Sequence, residues 1–351
     1  RGSGKVNRGP TAAKMFRKAL TPPRKRRINP AENFGNQGKR TFGTRYWEIV
    51  YPQYMVFFTD GGADMYGGNV VRLEPNQNAV MKCQDNLAFM RSLSDESMKL
   101  IITSPPYNIG KSYEKRSSLE KYIQDQAQVI SECVRLLHPE GSLCWQVGNH
   151  VDKGEVFPLD IILYHVFKDH GLKLRNRIVW HFEHGLHCSK RLSGRHETIL
   201  WFTKGNDCTF NLDPIRVPQK YPKKKHFKGP NKGKYSSNPL GKNPGDVWIF
   251  PNVKNNHVEK TTHPCQFPME LVERLVLSLT NKSDLVLDPY MGVGTAVVAA
   301  IKHDRFGYGC DTDSGYVDVA WGRLHQLHAG TLKTRPMDRP VYDPSKLNGG
   351  H

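Results

Sequence analysis

Several features that define other protein classes are missing from this chain. Its seven cysteines occur singly, with no Cys-x-x-Cys pair, and its 15 histidines contain no His-Glu-x-x-His pattern. Neither a zinc site nor a disulfide framework is indicated, and we expect no metal. No apolar run approaches the roughly 18 residues of a membrane helix, and no segment has the form of a signal peptide. We therefore expect an intracellular protein without a membrane segment.

Acidic residues are almost absent from two segments of this basic chain, whose formal net charge is +18. Residues 1–45 hold 13 Lys and Arg against one acid, Glu32, and residues 214–242 hold nine Lys and Arg with no acid. These segments carry +12 and +9, which leaves −3 for the rest of the chain. Two basic appendages on a nearly neutral frame indicate a polyanionic partner and an affinity that falls with salt.

The first 77 residues divide into two predicted segments. Residues 1–45 have few apolar positions and no sustained period, which predicts a basic flexible arm. The arm either binds the polyanionic partner without sequence preference or serves as a localisation signal, and a solvated tail is the alternative. Its candidate phosphate-binding residues are Arg24, Lys25, Arg26 and Arg27. Residues 46–77 form an aromatic-rich extension that fits either packing on the core or a dimer contact, so both a monomer and a homodimer stay open.

A proline-rich loop follows a short apolar run. Residues 100–102 predict a buried strand, and the chain continues as Thr-Ser-Pro-Pro-Tyr-Asn. The Ser104 hydroxyl and a carbonyl held by Pro105 and Pro106 can accept hydrogen bonds from an exocyclic amino group, whose lone pair is otherwise delocalised. Tyr107 offers a flat face for stacking on a base. We interpret the loop as a socket for a flat aminated ring; the alternative is a proline-rich turn with a chance tyrosine.

A glycine-rich loop follows a second apolar run, residues 285–287. Gly292 and Gly294 allow the backbone to approach a ligand, and residues 295–302 predict a helix that starts at this loop. The next predicted strand, residues 306–311, ends in an acid about 20 residues beyond the glycines, where nucleoside-binding α/β folds hold ribose hydroxyls. Asp311 is our ribose candidate, with Asp313 as the fallback. A tight strand-to-helix turn is the simpler alternative.

These two loops together resemble a known family. The chain is similar to the amino-methyltransferases of DNA in the permuted order called the beta class, where the Ser/Asp-Pro-Pro-Tyr motif precedes the glycine motif. Asp85 matches the acidic position ahead of the catalytic strand, and His263-Pro264 matches the element that covers the cofactor. The resemblance extends over about residues 78–330. Residues 178–180, 195–202 and 245–248 also resemble family segments.

The resemblance implies an α/β fold, with a Rossmann-like S-adenosylmethionine-dependent methyltransferase sheet and a small basic target-recognition subdomain. S-Adenosylmethionine is then the cofactor, and double-stranded DNA is the substrate, with the target base rotated out of the helix. The implied catalytic residues are Ser104, Pro105, Pro106 and Tyr107. The implied cofactor-binding residues are Asp85, Thr103, His263, Pro264, Asp288, Pro289, Gly292, Gly294, Thr295 and Asp311.

Two details favour cytosine N4 over adenine N6 as the methyl acceptor. Ser104 stands where adenine-directed relatives commonly carry Asp, and Phe267-Pro268 resembles the ending found in cytosine-N4 enzymes. Adenine-N6 methylation, methylation of RNA and a catalytically silent DNA-binding scaffold are the alternatives. Pro264-Cys265-Gln266 superficially matches the nucleophile of cytosine-C5 enzymes, but it lies outside the catalytic loop, and we interpret Cys265 as a small packing residue.

The predicted domains follow from this alignment. Residues 78–330 form the catalytic domain, residues 209–260 within it form a target-recognition insertion, and residues 331–351 form a C-terminal tail. The insertion mixes lysines with aromatic residues and glycines, and a flexible basic insertion is the alternative. Its candidate DNA-binding residues are Lys220, Lys223, Lys224, Lys225, Lys228, Lys232 and Lys234. A cognate restriction nuclease is a candidate partner. We expect association with DNA inside the cell, in a bacterial cytoplasm or nucleoid or in a nucleus.

Periodicity adds further elements to the catalytic domain. Apolar residues recur at helical spacing from Leu119 to Leu137 and predict a helix. Residues 142–147, 174–180 and 197–202 predict strands, and residues 270–279 predict a helix before the glycine loop.

Overall fold

The computed structural model describes residues 78–108, 116–182, 185, 187–254, 256–337 and 339. The predicted arm with Arg24, Lys25, Arg26 and Arg27, and the aromatic-rich extension, lie outside the described residues, as does most of the predicted C-terminal tail. The described part of the chain is an α/β unit built on one large mixed sheet and one small hairpin.

The large sheet has eight strands in the order β1-β10-β9-β2-β3-β7-β6-β8. Its first five strands run parallel, β7 lies antiparallel to β3 and β6, and β8 pairs parallel with β6. The small hairpin joins β4 and β5. The strands are β1 (Ala79–Cys83), β2 (Met98–Thr103), β3 (Leu137–Val147), β4 (Asn149–Asp152), β5 (Glu155–Pro158), β6 (Lys173–His181), β7 (His196–Thr203), β8 (Val247–Ile249), β9 (Leu285–Asp288) and β10 (Phe306–Asp311).

Six α-helices and one short 3₁₀ turn, Asp213–Ile215, accompany these strands in the described residues. The helices are α1 (Asn86–Arg91), α2 (Leu119–Leu136), α3 (Leu159–Asp169), α4 (Met269–Leu279), α5 (Thr295–Lys302) and α6 (Ser314–His328). Among these residues no helix has both the length and the apolar character that crossing a bilayer requires.

The apolar runs and helical spacings correctly predict β2, β3, β6, β7, β9, β10, α2, α4 and α5. They do not predict β1, β4, β5, β8, α1, α3 and α6. All six residues of β2 are buried, as a strand covered on both faces requires. Helix α2 begins after Ser118, whose side chain accepts a hydrogen bond from the Lys121 amide. Leu137 differs from the prediction: it adopts an extended conformation and pairs with Met98 at the start of β3.

Two apolar layers cover the sheet, which confirms the predicted fold class. Leu100 and Val286 belong to the layer that includes residues of α4, α5 and α6, whereas Ile101 and Leu287 belong to the layer that includes residues of α1, α2 and α3. Alternate residues of each strand thus enter opposite layers, because successive side chains point to opposite faces of a sheet.

The sheet topology places the two predicted loops side by side. Strands β2 and β9 are neighbours, and the chain leaves them in opposite directions, through α2 to β3 and through α5 to β10. Ligands in open α/β sheets bind in the crevice that such a divergence creates at the carboxyl ends of the strands. The proline-rich loop follows β2 and the glycine loop follows β9, so both loops lie at this crevice.

The start of the predicted C-terminal tail packs on the catalytic unit. Leu332 and Met337 contact the apolar layer that contains α4. Arg335 is buried and forms an ion pair with Glu270 of α4. The domain boundaries themselves stay predictions.

Candidate active site

The proline-rich loop holds its serine and its tyrosine close together. The Ser104 Oγ lies 2.9 Å from the Tyr107 hydroxyl oxygen. Burial and the neighbouring Glu197 carboxylate raise the pKa of Tyr107 well above its ordinary value, so the phenol stays protonated. The loop therefore presents a neutral hydroxyl pair beside two prolines.

A buried hydrogen bond joins the two loops at their roots. Thr103 Oγ1 donates to Asp288 Oδ1 at 2.7 Å, and both residues are buried. The same carboxylate oxygen accepts the Tyr290 amide at 3.0 Å. Burial raises the pKa of Asp288 to about 7, while the Thr103 hydrogen bond acts in the opposite direction. The ends of β2 and β9 are thus held together by one carboxyl group.

The glycine loop is fastened to the end of β10 by Asp311. The Gly292 amide donates to Asp311 Oδ2 at 3.0 Å, and the Asp313 amide donates to Asp311 Oδ1 at 2.9 Å. Burial raises the pKa of Asp311, and these backbone hydrogen bonds oppose the rise. A carboxylate has about four acceptor positions, so each oxygen keeps capacity for a further donor such as a ribose hydroxyl.

Both glycines adopt left-handed backbone conformations. Gly292 has φ +49°, and a Cβ there would lie 3.2 Å from His263 Nε2. Gly294 has φ +73°, and a Cβ there would lie 2.7 Å from the Ala320 Cβ. Glycine is thus required at the first position to leave space beside His263 and at the second to let α5 approach α6.

Aromatic and acidic groups also belong to the site. The His263 and Tyr316 rings meet edge to face with centroids 4.6 Å apart. Burial lowers the pKa of His263 to about 4, so its ring is neutral at physiological pH. Asp85 Oδ1 accepts the Ala88 amide and caps α1, and Asp313 caps α6.

These residues surround one cavity of about 860 Å³, within the range of about 300–1,000 Å³ usual for small-molecule sites. The geometry fits a nucleoside-bearing cofactor, because Asp311 offers acceptors and Gly292 leaves a space that a side chain would fill. Two predicted cofactor residues, Thr103 and Gly294, do not line the cavity. Thr103 donates a hydrogen bond to the lining residue Asp288, and Gly294 packs closely against Ala320. The predicted residues that do line the cavity are Asp85, Ser104, Pro105, Pro106, Tyr107, His263, Pro264, Asp288, Pro289, Gly292, Thr295 and Asp311.

Sequence reasoning missed Glu197 as a site residue. Glu197 lies in β7 and lines the cavity, and its Oε2 accepts a hydrogen bond from the Tyr107 hydroxyl at 3.1 Å. Gln146 of β3 also donates to this oxygen. Burial raises the pKa of Glu197 to about 7, and both hydrogen bonds oppose the rise. The available signal was an acid at the start of a predicted apolar strand, in a segment that resembles the family.

Cys265 also lines the cavity and is exposed. The interpretation of Cys265 as a packing residue is therefore wrong. The cysteine nonetheless lies outside the Ser104–Tyr107 loop. Within the described residues, no three His, Cys, Asp or Glu side chains come together as a metal site.

The basic segment forms a hydrogen-bonded loop away from this cavity. Lys225 pairs with Tyr235 and Val217 pairs with Lys242 in antiparallel bridges. Lys225 Nζ lies 5.5 Å from the centre of the Tyr235 ring, and Phe227 is 90% exposed near the tip. All seven candidate lysines are exposed, and none lines the cavity. The loop therefore presents positive charge and aromatic surface to solvent.

Comparison with known proteins places this geometry in a family. The family described as DNA methylase matches residues 98–321. The type II methyltransferase M.BglII of Bacillus subtilis is 51% identical over 238 residues, which cover 68% of this chain and 66% of the relative. The chain thus spans just under two thirds of that protein. The DNA adenine methyltransferase YhdJ of Escherichia coli K12 is 32% identical over 245 residues, covering 68% of this chain and 80% of YhdJ.

A solved structure supports the same fold. The PvuII DNA methyltransferase (cytosine-N4-specific) aligns with a TM-score of 0.57 and 18% identity, over 76% of this chain and 97% of its own. At this identity the likeness establishes the fold alone. The matched family depends on S-adenosylmethionine, which confirms the predicted cofactor. With its matched region spanning both loops of the crevice, the chain belongs to the DNA methylase family.

Proposed function

We propose that this protein transfers a methyl group from S-adenosylmethionine to the exocyclic N4 amino group of cytosine in double-stranded DNA. One observation carries the proposal: the Ser104–Tyr107 loop and the Gly292–Asp311 pair line a single cavity, and the Thr103–Asp288 hydrogen bond ties them together. A site for a flat aminated ring and a site for a nucleoside thereby share one space, as direct transfer between two bound molecules requires.

The cofactor half of the cavity suits a nucleoside ligand. Asp311 would accept the ribose hydroxyls, and Gly292 would let the backbone approach the ligand. Asp85 and the His263–Pro264 segment would enclose it, with Asp288, Pro289 and Thr295 at the base of the loop. When bound, S-adenosylmethionine supplies an electrophilic methyl group on a positively charged sulfur.

The base half of the cavity suits a cytosine rotated out of the duplex, a step that costs a few kcal/mol. Tyr107 would stack on the ring, and Pro106 would stiffen the loop. The Ser104 hydroxyl and the Pro105 carbonyl would accept hydrogen bonds from the amino group, so that its lone pair is directed at the methyl carbon.

The exposed basic loop suits the DNA backbone. Lysines that neutralise phosphates release counterions, so each contact should contribute about 0.9 to the slope of log affinity against log salt. Replacing Lys223, Lys224 and Lys225 by Gln should therefore lower the slope by up to about 3 units. Lys282→Gln, a change at an exposed lysine paired with Asp304, is the control.

Adenine N6 is the second candidate acceptor, because YhdJ, a DNA adenine methyltransferase, matches 68% of this chain. Cytosine stays first because Ser104 occupies the position where adenine-directed relatives commonly carry Asp. The similarity to M.BglII, a type II methyltransferase, supports a cognate restriction nuclease as a partner.

The test is to incubate the protein with methyl-labelled S-adenosylmethionine and mixed-sequence duplex DNA, then identify the labelled nucleoside by mass. N4-methylcytosine supports the proposal, N6-methyladenine supports the second candidate acceptor instead, and the absence of label on the DNA refutes both.

Two variants then test the residue roles. Ser104→Ala should lower turnover by about 10- to 1,000-fold with cofactor affinity unchanged. Asp311→Asn should weaken cofactor affinity by about 10- to 100-fold. Ser97→Ala, which removes a hydroxyl outside the cavity that donates to the Ser94 carbonyl, should change neither. Exchanged phenotypes would refute the assignment.

A further inference from the structure

A chain of hydrogen bonds leads from the proposed base site into the sheet. Tyr107 donates its hydroxyl proton to Glu197 Oε2 at 3.1 Å. A phenol has one proton, so the 2.9 Å contact with Ser104 requires the serine to donate to Tyr107. The lone pairs of the Ser104 oxygen are then left to accept hydrogen bonds. Glu197 thus sets the direction of every hydrogen bond in the chain.

The sheet fixes the position of Glu197. Glu197 pairs with Trp180 of β6, and its neighbour Thr198 pairs with Val147 of β3. Gln146 of β3 donates to the same Oε2 atom that accepts from Tyr107. A Cβ on Gly148 would lie 3.1 Å from the Tyr107 ring and 3.5 Å from Glu197 Cγ, so these two side chains fill the space beside β3.

No cation balances the Glu197 carboxylate among the described residues, where it forms no ion pair. The groups that face it are neutral: Gln146 from β3 and Tyr107 from the catalytic loop. Cys265 is a further titratable group near Tyr107. Burial without a counter-ion raises the pKa of Glu197 to about 7, so the group can both hold and release a proton under physiological conditions.

We propose that Glu197 accepts the proton that leaves the base amino group during methyl transfer, passed through Ser104 and Tyr107. This inference rests on the function proposed above and gives that reaction its proton acceptor. Glu197 acts through Tyr107 and Ser104, so it is a positioning and proton-accepting residue that does not itself contact the base.

The step balances in atoms and charge. The amino lone pair forms the new bond to the methyl carbon, and the electron pair of the methyl–sulfur bond stays with sulfur, which becomes a neutral thioether. As that bond forms, the amino proton moves to Ser104 Oγ, the serine proton moves to the Tyr107 oxygen, and the tyrosine proton moves to Glu197 Oε2. The positive sulfonium and the negative carboxylate disappear together, so no charged ammonium is left inside the cavity. Glu197 returns its proton to water after the products leave.

The test compares wild type with Glu197→Gln in single-turnover methylation, with enzyme in excess and the cofactor saturating, between pH 5.5 and pH 9. Glutamine keeps a carbonyl that accepts from Tyr107 but cannot take up a proton. The wild-type rate should rise with pH through a midpoint near 7. The variant should be at least about tenfold slower at pH 8.5, with no such midpoint, and with cofactor and DNA affinities within about twofold of wild type.

Asp288 also has a pKa of about 7, so the wild-type profile alone cannot identify the group that titrates. The comparison between wild type and the Glu197→Gln variant identifies it. Glu120→Gln, an exposed change on α2, is the matched control and should keep the wild-type profile. Tyr107→Phe removes the middle hydroxyl while keeping the ring. The double variant Glu197→Gln/Tyr107→Phe should be no slower than the slower single variant, because both changes break the same chain.

The outcomes distinguish failure of the proposed function from failure of the proton relay, meaning the passage of the proton through Ser104 and Tyr107 to Glu197. If wild type labels no DNA, the proposed function falls and the relay falls with it. If wild type labels DNA and Glu197→Gln keeps the rate and the midpoint, the relay alone is refuted. A variant that loses thermal stability or affinity but keeps the midpoint shows a purely structural role. Two single losses that multiply in the double variant also refute the relay.

Discussion

Thr103→Val should destabilise the protein in a pH-dependent way, because it removes the hydrogen bond between the two loops of the site. Valine has nearly the shape of threonine but cannot donate to Asp288. A hydrogen bond to a charged group contributes about 1.5–3 kcal/mol to stability, and a neutral one about 0.5–1.5 kcal/mol. The loss should therefore approach about 2–3 kcal/mol where Asp288 is ionised and about 1 kcal/mol where it is protonated.

The direction of the pH dependence follows from the raised pKa of Asp288. The folded-state pKa is about 7, whereas an unfolded chain gives about 3.9. Between these values the folded state binds more protons, so the contribution of Asp288 to stability falls as pH rises through this window. The Thr103 hydrogen bond favours the ionised form, so its removal raises the pKa further. The destabilisation by Thr103→Val should therefore be larger at pH 8.5 than at pH 5.5.

Thr203→Val is the matched control. Thr203 is also fully buried, and its hydroxyl donates to the neutral Gly205 carbonyl at 2.8 Å. Its replacement should cost about 0.5–1.5 kcal/mol at both pH values. Urea unfolding at pH 5.5 and 8.5, followed by tryptophan fluorescence, measures the free energy of unfolding of wild type and of both variants. Equal, pH-independent losses in the two variants would refute the role of the Thr103–Asp288 bond.

Two further predictions concern stability, measured by the same urea unfolding. Arg335→Met removes the ion-pair partner of the buried Glu270 carboxyl, although Arg274 still attracts it, and should cost about 3 kcal/mol at pH 9. Burial raises the pKa of Glu270 to about 8, so protonation should reduce the cost at pH 6. An equal cost at both pH values would contradict this reasoning. Gly294→Ala should destabilise the protein by more than about 1 kcal/mol because of the positive φ at this position and the contact with Ala320. Gly322→Ala, in open space on α6, is the control and should stabilise the protein by up to about 1 kcal/mol. A stabilised Gly294→Ala variant would show that the loop relaxes freely.

The sequence predicts the parallel half of the sheet well, for a physical reason. Strands β2 and β9 are short, apolar and buried on both faces, so each appears as an apolar run that ends in a loop. The carboxyl ends of parallel strands share one edge of the sheet, so the sequence alone predicts that the loops at Ser104 and Gly292 lie close together.

In the antiparallel part of the sheet, the sequence predicts strands at residues 174–180 and 197–202 but does not predict that β7 pairs with β3. Glu197 enters the site because β7 lies antiparallel beside β3, which brings it to Tyr107, 90 residues away in the chain. No local pattern encodes which strand pairs with β3. The burial of Arg335 was not predicted for a related reason: an arginine is normally solvated. Its burial depends on interactions that no local pattern shows, including the ion pair with Glu270, 65 residues away in the chain.

Two sets of acids in the described part of the chain have different electrostatic environments. Glu270 and Glu273, outside the cavity lining, pair with an arginine and a lysine. Glu197, Asp288 and Asp311 line the cavity and rely on neutral donors instead, and burial raises the pKa of each. Buried carboxyl groups without a cation of their own are costly, and they gain most from a positively charged ligand. The methyl donor of this family carries a positive sulfonium, and its demethylated product is neutral. We therefore expect this cavity to hold the positively charged donor more firmly than the neutral product.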